Sequence, residues 1–382
     1  MKRLQVIVTV PERPPLVAGL PVPVRAADAF RDGLKADRLI FCAPSRRFVS
    51  EWGERLSGLP WLVASREGRS VQDLLGEGAV LALSPDVLPD TAAVRRFVER
   101  ASGGAGASRL VQEGRVLAVF YPDPSSAKRA YQLDALLSPD GAAEIGVDGD
   151  AESWRAIRSP ADAESEERRI FESLPQSTDG YIARFDRRLS IALSKLLLRT
   201  PVTPNQITLA SLALGLAGAA LLAGTSYPRQ VLGALMLWSC CILDGCDGEL
   251  ARLKLMCSPS GARFDMLTDN LVHLAIFIAI PVHIQRMQPG ADFLRPGLLL
   301  MSGFLLSAFW VWRLILARPE ESRGPSAAVF ERIASRDFIY LVLLLTVVRR
   351  LEWFLWAAAF GSHLFWLSLV ALESFQSRAR KA

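Results

Sequence analysis

The apolar positions of this chain fall into two regimes. Over residues 1–165 they come as short runs: 4–10 (LQVIVTV), 38–43, 60–65, 79–83 and 115–121, each rich in Val, Ile, Leu or aromatic residues. Between them, 24–35 and 91–102 read as helices, with Thr91 as an N-cap. Strands alternating with helices predict an α/β domain with a mainly parallel sheet. The first ten residues have a basic start, but their apolar run is too short for a signal-peptide core and reads as the first β-strand. Residues 103–108 (GGAGAS) read as a loop, and 147–169, acidic and then charged, as a linker or bridging helix.

From residue 179 the period changes. Ile182, Phe185, Leu189, Leu193 and Leu196 recur at helical spacing opposite Arg184, Arg187, Arg188 and Lys195. This predicts a basic amphipathic helix suited to a membrane surface, with an ordinary surface helix as the alternative. Long apolar runs follow, and six spans can be drawn: 205–224, 229–252, 262–284, 296–317, 337–350 and 352–373. The expected architecture is thus an α/β N-terminal domain followed by an all-α membrane domain of six transmembrane helices. Domain bounds are expected at 1–165, 166–200 (linker and interfacial helix) and 201–376. No internal repeat is visible.

Charge sharpens this division. Residues 1–165 hold 21 Lys/Arg and 22 Asp/Glu, and the remainder 23 and 17. The net excess of +5 therefore accompanies the apolar half, as expected of a protein that touches anionic lipid or phosphate. With the N-terminal domain in the cytosol, 15 basic residues fall on the inner side, among them Arg187, Arg252, Lys254, Arg263, Arg318 and Arg336. Five fall outside: Arg229, Arg286, Arg295, Arg349 and Arg350. This fits the positive-inside rule and puts both termini in the cytosol, at the cytoplasmic membrane. Cys42, Cys240, Cys241, Cys246 and Cys257 show no CxxC or zinc spacing, so they read as reduced thiols.

The chemistry is concentrated in 244–269. Asp244 and Asp247 lie three residues apart, Asp265 and Asp269 four, so each pair shares a helix face. At 1.5 Å per residue, Asp244 lies about 12 Å and Asp269 about 10 Å from the inner ends of their spans. Residues 253–261 reverse the chain and let the two faces meet. Four carboxylates in a low-dielectric setting cannot all stay ionised alone, and divalent cations solve that problem. All-oxygen ligation favours Mg²⁺ or Mn²⁺, and two ions suit displacement at phosphorus. Gly248 and Ala251 leave room beside the acidic face, and Gly261 lets the third span start against the second; both glycines also suit plain packing. Arg252 and Lys254 can bind phosphate at the rim, with Arg252 as a positive-inside anchor the rival reading. Of the three histidines (His273, His283 and His363), His273 follows Asp269 by one turn and reads as a packing or supporting residue.

The pattern D-x2-D-G-x2-A-R-x8-G-x3-D-x3-D, complete from Asp244 to Asp269, resembles the signature of the CDP-alcohol phosphotransferases. Residues 203–208 (TPNQIT) resemble that family's entry to the first span, and Arg336-Asp337-Phe338 its fifth-span start. The resemblance covers about 179–375. It implies metal ligation by Asp244, Asp247, Asp265 and Asp269, with Asp269 also taking the acceptor's proton. It implies CDP contacts from Gly248, Arg252 and Ser258, with Asn205 and Thr208 nearby. The implied reaction is attack of an alcohol on the β-phosphorus of a CDP-alcohol with release of CMP. Implied partners are a CDP-alcohol donor, an alcohol acceptor, the lipid bilayer and a second copy of the chain in a homodimer; no nucleic-acid partner is expected.

Residues 14–43 resemble the stretch after the phosphate loop in sugar-phosphate nucleotidyltransferases, and 79–90 the strand carrying their metal aspartate, here Asp86. The layout resembles enzymes that fuse such a cytidylyltransferase to a di-myo-inositol phosphate phosphate synthase. Inositol phosphate is then the favoured acceptor. Residues 8–15 (VTVPERPP), however, contain no glycine, and proline offers no amide donor. The nucleotidyltransferase-like, Rossmann-type domain is therefore expected to be inactive. A bifunctional enzyme and a phospholipid synthase using CDP-diacylglycerol stand as alternatives.

Overall fold

The computed structural model describes residues 3–30, 36–42, 52–56, 59–64, 69–104, 106–128, 133–139, 141–146, 153–174, 181–313 and 338–379. Arg336 and Asp337 of the expected fifth-span start lie outside them, as do 147–152 of the expected linker. The chain divides into two compact units, Met1–Ser173 with Arg252–Met256 and Leu174–Ala251 with Cys257–Ala382.

The first unit holds strands β1 (Leu4–Thr9), β2 (Leu16–Val17), β3 (Leu20–Pro21), β4 (Arg38–Cys42), β5 (Trp61–Ala64), β6 (Ala79–Leu83), β7 (Val87–Pro89), β8 (Ser108–Gln112), β9 (Arg115–Tyr121), β10 (Ala143–Gly146) and β11 (Trp154–Ala156). Its helices are α1 (Val22–Asp28), α2 (Val71–Leu74), α3 (Thr91–Ala101), α4 (Pro124–Lys128), α5 (Leu133–Leu137) and α6 (Pro160–Glu172). Seven strands form one sheet in the order β10-β8-β9-β6-β1-β4-β5. β1 pairs in parallel with both β4 and β6 and is buried along its whole length, which explains an apolar sequence interrupted only by Gln5 and Thr9. The five strands expected from the apolar runs are all present. β9 runs antiparallel to β6 and β8, so the sheet is mixed. The tight β8–β9 turn places Glu113 and Gly114 at positive φ.

The segment after β1 bears on the chemistry. It continues through Pro11, Pro14 and Pro15 into the β2–β3 hairpin, turned by Ala18 and Gly19 at φ 46° and 74°. Gly19, the first glycine of the chain, is used by that turn. Asp86 pairs with Arg115 at 2.5 Å and accepts from the Ser84 hydroxyl at 3.0 Å.

The second unit is helical: α7 (Tyr181–Leu198), α8 (Pro204–Leu222), α9 (Tyr227–Leu253), α10 (Pro259–Met287), α11 (Leu294–Val311), α12 (Phe338–Val347) and α13 (Leu351–Ala379). Five of these, α8 to α11 and α13, are long and apolar enough to cross a membrane. α12 has ten described residues, short of the roughly 20 that a crossing needs. Leu222, Leu237, Ile276, Ile280, Leu355 and Ala359 form the fully buried core, whereas Leu298 and Leu364 are 71% exposed, as lipid-facing positions are.

Small residues set the spacing of the bundle. A Cβ on Gly218 would stand 2.9 Å from the carbonyl oxygen of Gly233, and one on Gly233 only 2.6 Å from that of Gly218. α8 and α9 thus meet backbone to backbone. The far end of α8 is closed by α10: His283 Nδ1 donates to the Gly224 carbonyl at 2.7 Å and Arg286 to that of Ala223 at 3.0 Å. The near end carries a capping box between Thr203 and Gln206. Because backbone cannot move aside as a side chain can, Gly233→Ala is expected to destabilise the bundle by about 1–3 kcal/mol. A fall of several degrees in the midpoint of a detergent thermal scan checks this.

Candidate metal centre in the helical bundle

α9 carries Asp244 and Asp247 six to nine residues before its end at Leu253; α10 carries Asp265 six residues after its start at Pro259. At 1.5 Å per residue these lie about 9–14 Å along the two helices, at matched depth. Pro259 at the first helical turn and Ser258 as N-cap start α10; the Ser258 Oγ accepts from the Gly261 amide at 3.0 Å. Gly261 is needed here, since a Cβ would stand 3.0 Å from that oxygen and 3.5 Å from Asn205 Oδ1.

The three carboxylates converge. One oxygen from each of Asp244, Asp247 and Asp265 lies within 4.8 Å of the others. Asp244 and Asp247 are 7% and 5% exposed, and Asp265 is half-buried. Like charges this close, in an apolar bundle, repel strongly unless a cation or protons neutralise them. The donor set is hard oxygen only, the type that suits Mg²⁺ or Mn²⁺. The Thr208 hydroxyl of α8 donates a short hydrogen bond to Asp247, so a third helix orients the cluster from behind.

The other expected site residues fall around this centre in different ways. Asp269 follows Asp265 by one turn on α10, half-buried and outside the group of three. Gly248 is exposed, and a Cβ there would meet nothing within 4 Å, so the α9 surface beside Asp247 is open. Arg252 is exposed in the last turn of α9, and Asn205 is exposed in the first turn of α8. Ser258 spends its hydroxyl oxygen on the cap of α10. His273 packs edge-on against Phe338 at 5.1 Å and beside Phe277 at 6.4 Å, an aromatic setting that agrees with a packing role.

Two features escape the sequence reading. Thr208 gives its hydroxyl to the Asp247 carboxylate, a contact the sequence does not show. Glu249 is fully buried and held by Ser190, Ser194 and Arg187 of α7. The inward stripe of α7 is therefore Ser190, Ser194 and Leu198, while Phe185 and Leu196 stay 53% and 66% exposed on its outer side. A serine pair at i, i+4, with an acid two helices further along the chain, is the signal that was available for it.

Residues 201–370 match the CDP-alcohol phosphatidyltransferase family. A relative from Rubrobacter xylanophilus, described as a bifunctional IPC transferase and DIPP synthase, is 37% identical over 118 residues, 31% of this chain and 26% of its own. One of the same description from Aquifex aeolicus is 26% identical over 198 residues, 51% of this chain and 44% of its own. These matches span less than half the length of either relative. A crystal structure of Mycobacterium tuberculosis phosphatidylinositol phosphate synthase with CDP-DAG bound overlays at a TM-score of 0.35 with 17% identity, covering 48% of this chain and 92% of that one. The family match spans residues 201–370, a little under half of the chain, and falls within the helical unit.

Proposed function

We propose that the helical unit catalyses transfer of a substituted phosphate group from a CDP-alcohol to an acceptor hydroxyl, with release of CMP. The convergence of Asp244, Asp247 and Asp265 within 4.8 Å at matched depth carries this reading. The family match over the same residues and the complete signature support it.

Asp244, Asp247 and Asp265 would hold the divalent cations, and Asp269 would add a further carboxylate. When bound, Mg²⁺ or Mn²⁺ supplies Lewis-acid polarisation of the diphosphate. Thr208 keeps Asp247 oriented. The open face at Gly248 admits the cytidine diphosphate against the α9 backbone, with Asn205, Ser258 and Arg252 along its approach. Asp269, one turn along α10 from Asp265, takes the proton of the acceptor hydroxyl. The acceptor oxygen bonds to the β-phosphorus as the bond from that phosphorus to the CMP oxygen breaks, and CMP leaves with both electrons of that bond. Arg252 steadies the negative charge at the inner rim.

The same reading makes the protein a multi-pass, homodimeric component of the cytoplasmic membrane, with six spans completed by the segment around α12 and the site facing the cytosol. It makes inositol phosphate the favoured acceptor, in line with the relatives' descriptions. CDP-diacylglycerol is the competing donor. The nucleotidyltransferase-like sheet of the first unit is inactive: the segment after β1 supplies no glycine cradle, and Asp86 is engaged by Arg115.

Three outcomes test these statements. Alanine at Asp244, Asp247 or Asp265 should lower CMP release from CDP-alcohols by more than the roughly 10–100-fold that loss of an outer-shell partner costs. Activity persisting in all three would overturn the reading. Thr208→Val, nearly isosteric, should weaken divalent-cation binding about tenfold in a Mn²⁺ titration, while Gly248→Val should raise the donor KM about tenfold with cation affinity unchanged. Incubation of the purified protein with CTP and inositol phosphate should yield no CDP-inositol by chromatography.

A further inference from the structure

α9 carries a third acid that the metal centre does not use. Glu249 follows Asp247 by two residues, about 200° around the helix, and so faces away from the cluster. It is 0% exposed. Its Oε1 accepts from Ser190 Oγ at 2.6 Å and from Arg187 Nη1 at 3.1 Å, and its Oε2 from Ser194 Oγ at 2.8 Å. All three donors stand on α7. The neighbouring surface is shaped to the same contact: Cys246 Sγ approaches the Ser190 carbonyl at 3.4 Å, and a Cβ on Gly245 would already touch the Ser190 side chain at 3.4 Å. Further along, Trp238 Nε1 donates to Asp186 at 3.1 Å and its ring stacks on Phe185 at 6.5 Å.

We propose that Glu249 is a positioning residue: by engaging Ser190, Ser194 and Arg187 it fixes the rotation of α9 against α7, and so keeps Asp244 and Asp247 aimed at Asp265. The inference rests on the metal-centre reading above. Its physical basis is leverage. A helix is a stiff rod, so a carboxylate held on one side sets the direction of those on the other side. Ligating oxygens must stay within about 0.5 Å of their working geometry. Apolar packing alone specifies rotation weakly, because neighbouring apolar faces of a helix are interchangeable. A buried carboxylate has one orientation that satisfies it, since leaving it without donors is strongly unfavourable. α7 supplies those donors, at the i, i+4 spacing that lets two serines reach the two oxygens of one carboxylate.

Purified full-length protein in detergent, without substrate, is titrated with Mn²⁺ and followed by electron paramagnetic resonance; CMP release is measured in parallel. Glu249→Gln and the Ser190→Ala/Ser194→Ala double variant should each weaken Mn²⁺ binding about tenfold, the range of outer-shell partners. They should raise the cation concentration for half-maximal CMP release in proportion and leave the donor KM within about twofold at saturating cation. Ser194→Thr, which keeps the hydroxyl, should match the parent. Should Glu249→Gln fail to accumulate, the double serine variant, which leaves the carboxylate and Arg187 in place, decides. Wild-type Mn²⁺ affinity in the altered proteins, with or without a lower thermal midpoint, overturns the proposal. Asp247→Asn is the control for the underlying reading. If it binds Mn²⁺ and turns over normally, the metal centre itself is wrong; if it is inactive beside a normal Glu249→Gln, only the positioning role fails.

Discussion

Placing several carboxylates inside an apolar helical bundle is the constraint on which the rest of this structure depends. Each buried acid is costly unless something answers its charge. The bundle uses two solutions on one helix. Asp244 and Asp247 are gathered with Asp265 into a cluster of hard oxygen donors, and Glu249 is enclosed by hydroxyls and a guanidinium. The close α8–α9 contact through Gly218 and Gly233, the Pro259 start of α10 and the serine stripe of α7 are the packing that makes both solutions reachable. Any one of these elements displaced by an ångström would leave a charge without its complement.

Much of this was legible in the residues. Period alone placed the five main strands of the sheet and the long apolar helices, since both signals repeat over many residues. The aspartate pairs were legible because spacings of three and four are unambiguous on a helix. Other features follow from tertiary contact and leave little trace in sequence. The antiparallel β9 reads like the strands that pair in parallel, because buried apolar strands look alike in either direction. α12 is apolar like a span, yet among the described residues it runs only from Phe338 to Val347. For α7 the apolar residues drew attention to the outer face, whereas Ser190 and Ser194, individually unremarkable, make the inward one. Thr208 shows the same limit: a hydroxyl beside a motif can serve the ligand or serve the residue that holds it, and only the bundle geometry distinguishes the two.

The two units carry opposite relations between fold and chemistry. In the first, buried apolar strands hold the sheet while the segment after β1 carries Pro11, Pro14 and Pro15. A sheet can be kept by its apolar runs after its loops have changed, because core and loop respond to different pressures. In the second, the acids that cost the fold most to bury are the ones that gather at the candidate site.

The outward face of α7 has a consequence of its own. A soluble helix turns its grease inward, but here serines face the protein, and Leu196 faces out. The seating of α7 is thus shared between the bundle on one side and its surroundings on the other. In a bilayer those surroundings are acyl chains, whose lateral pressure and thickness press directly on the exposed side. A change in the leaflet would then load a helix that holds α9 at a point across the helix axis from the aspartates.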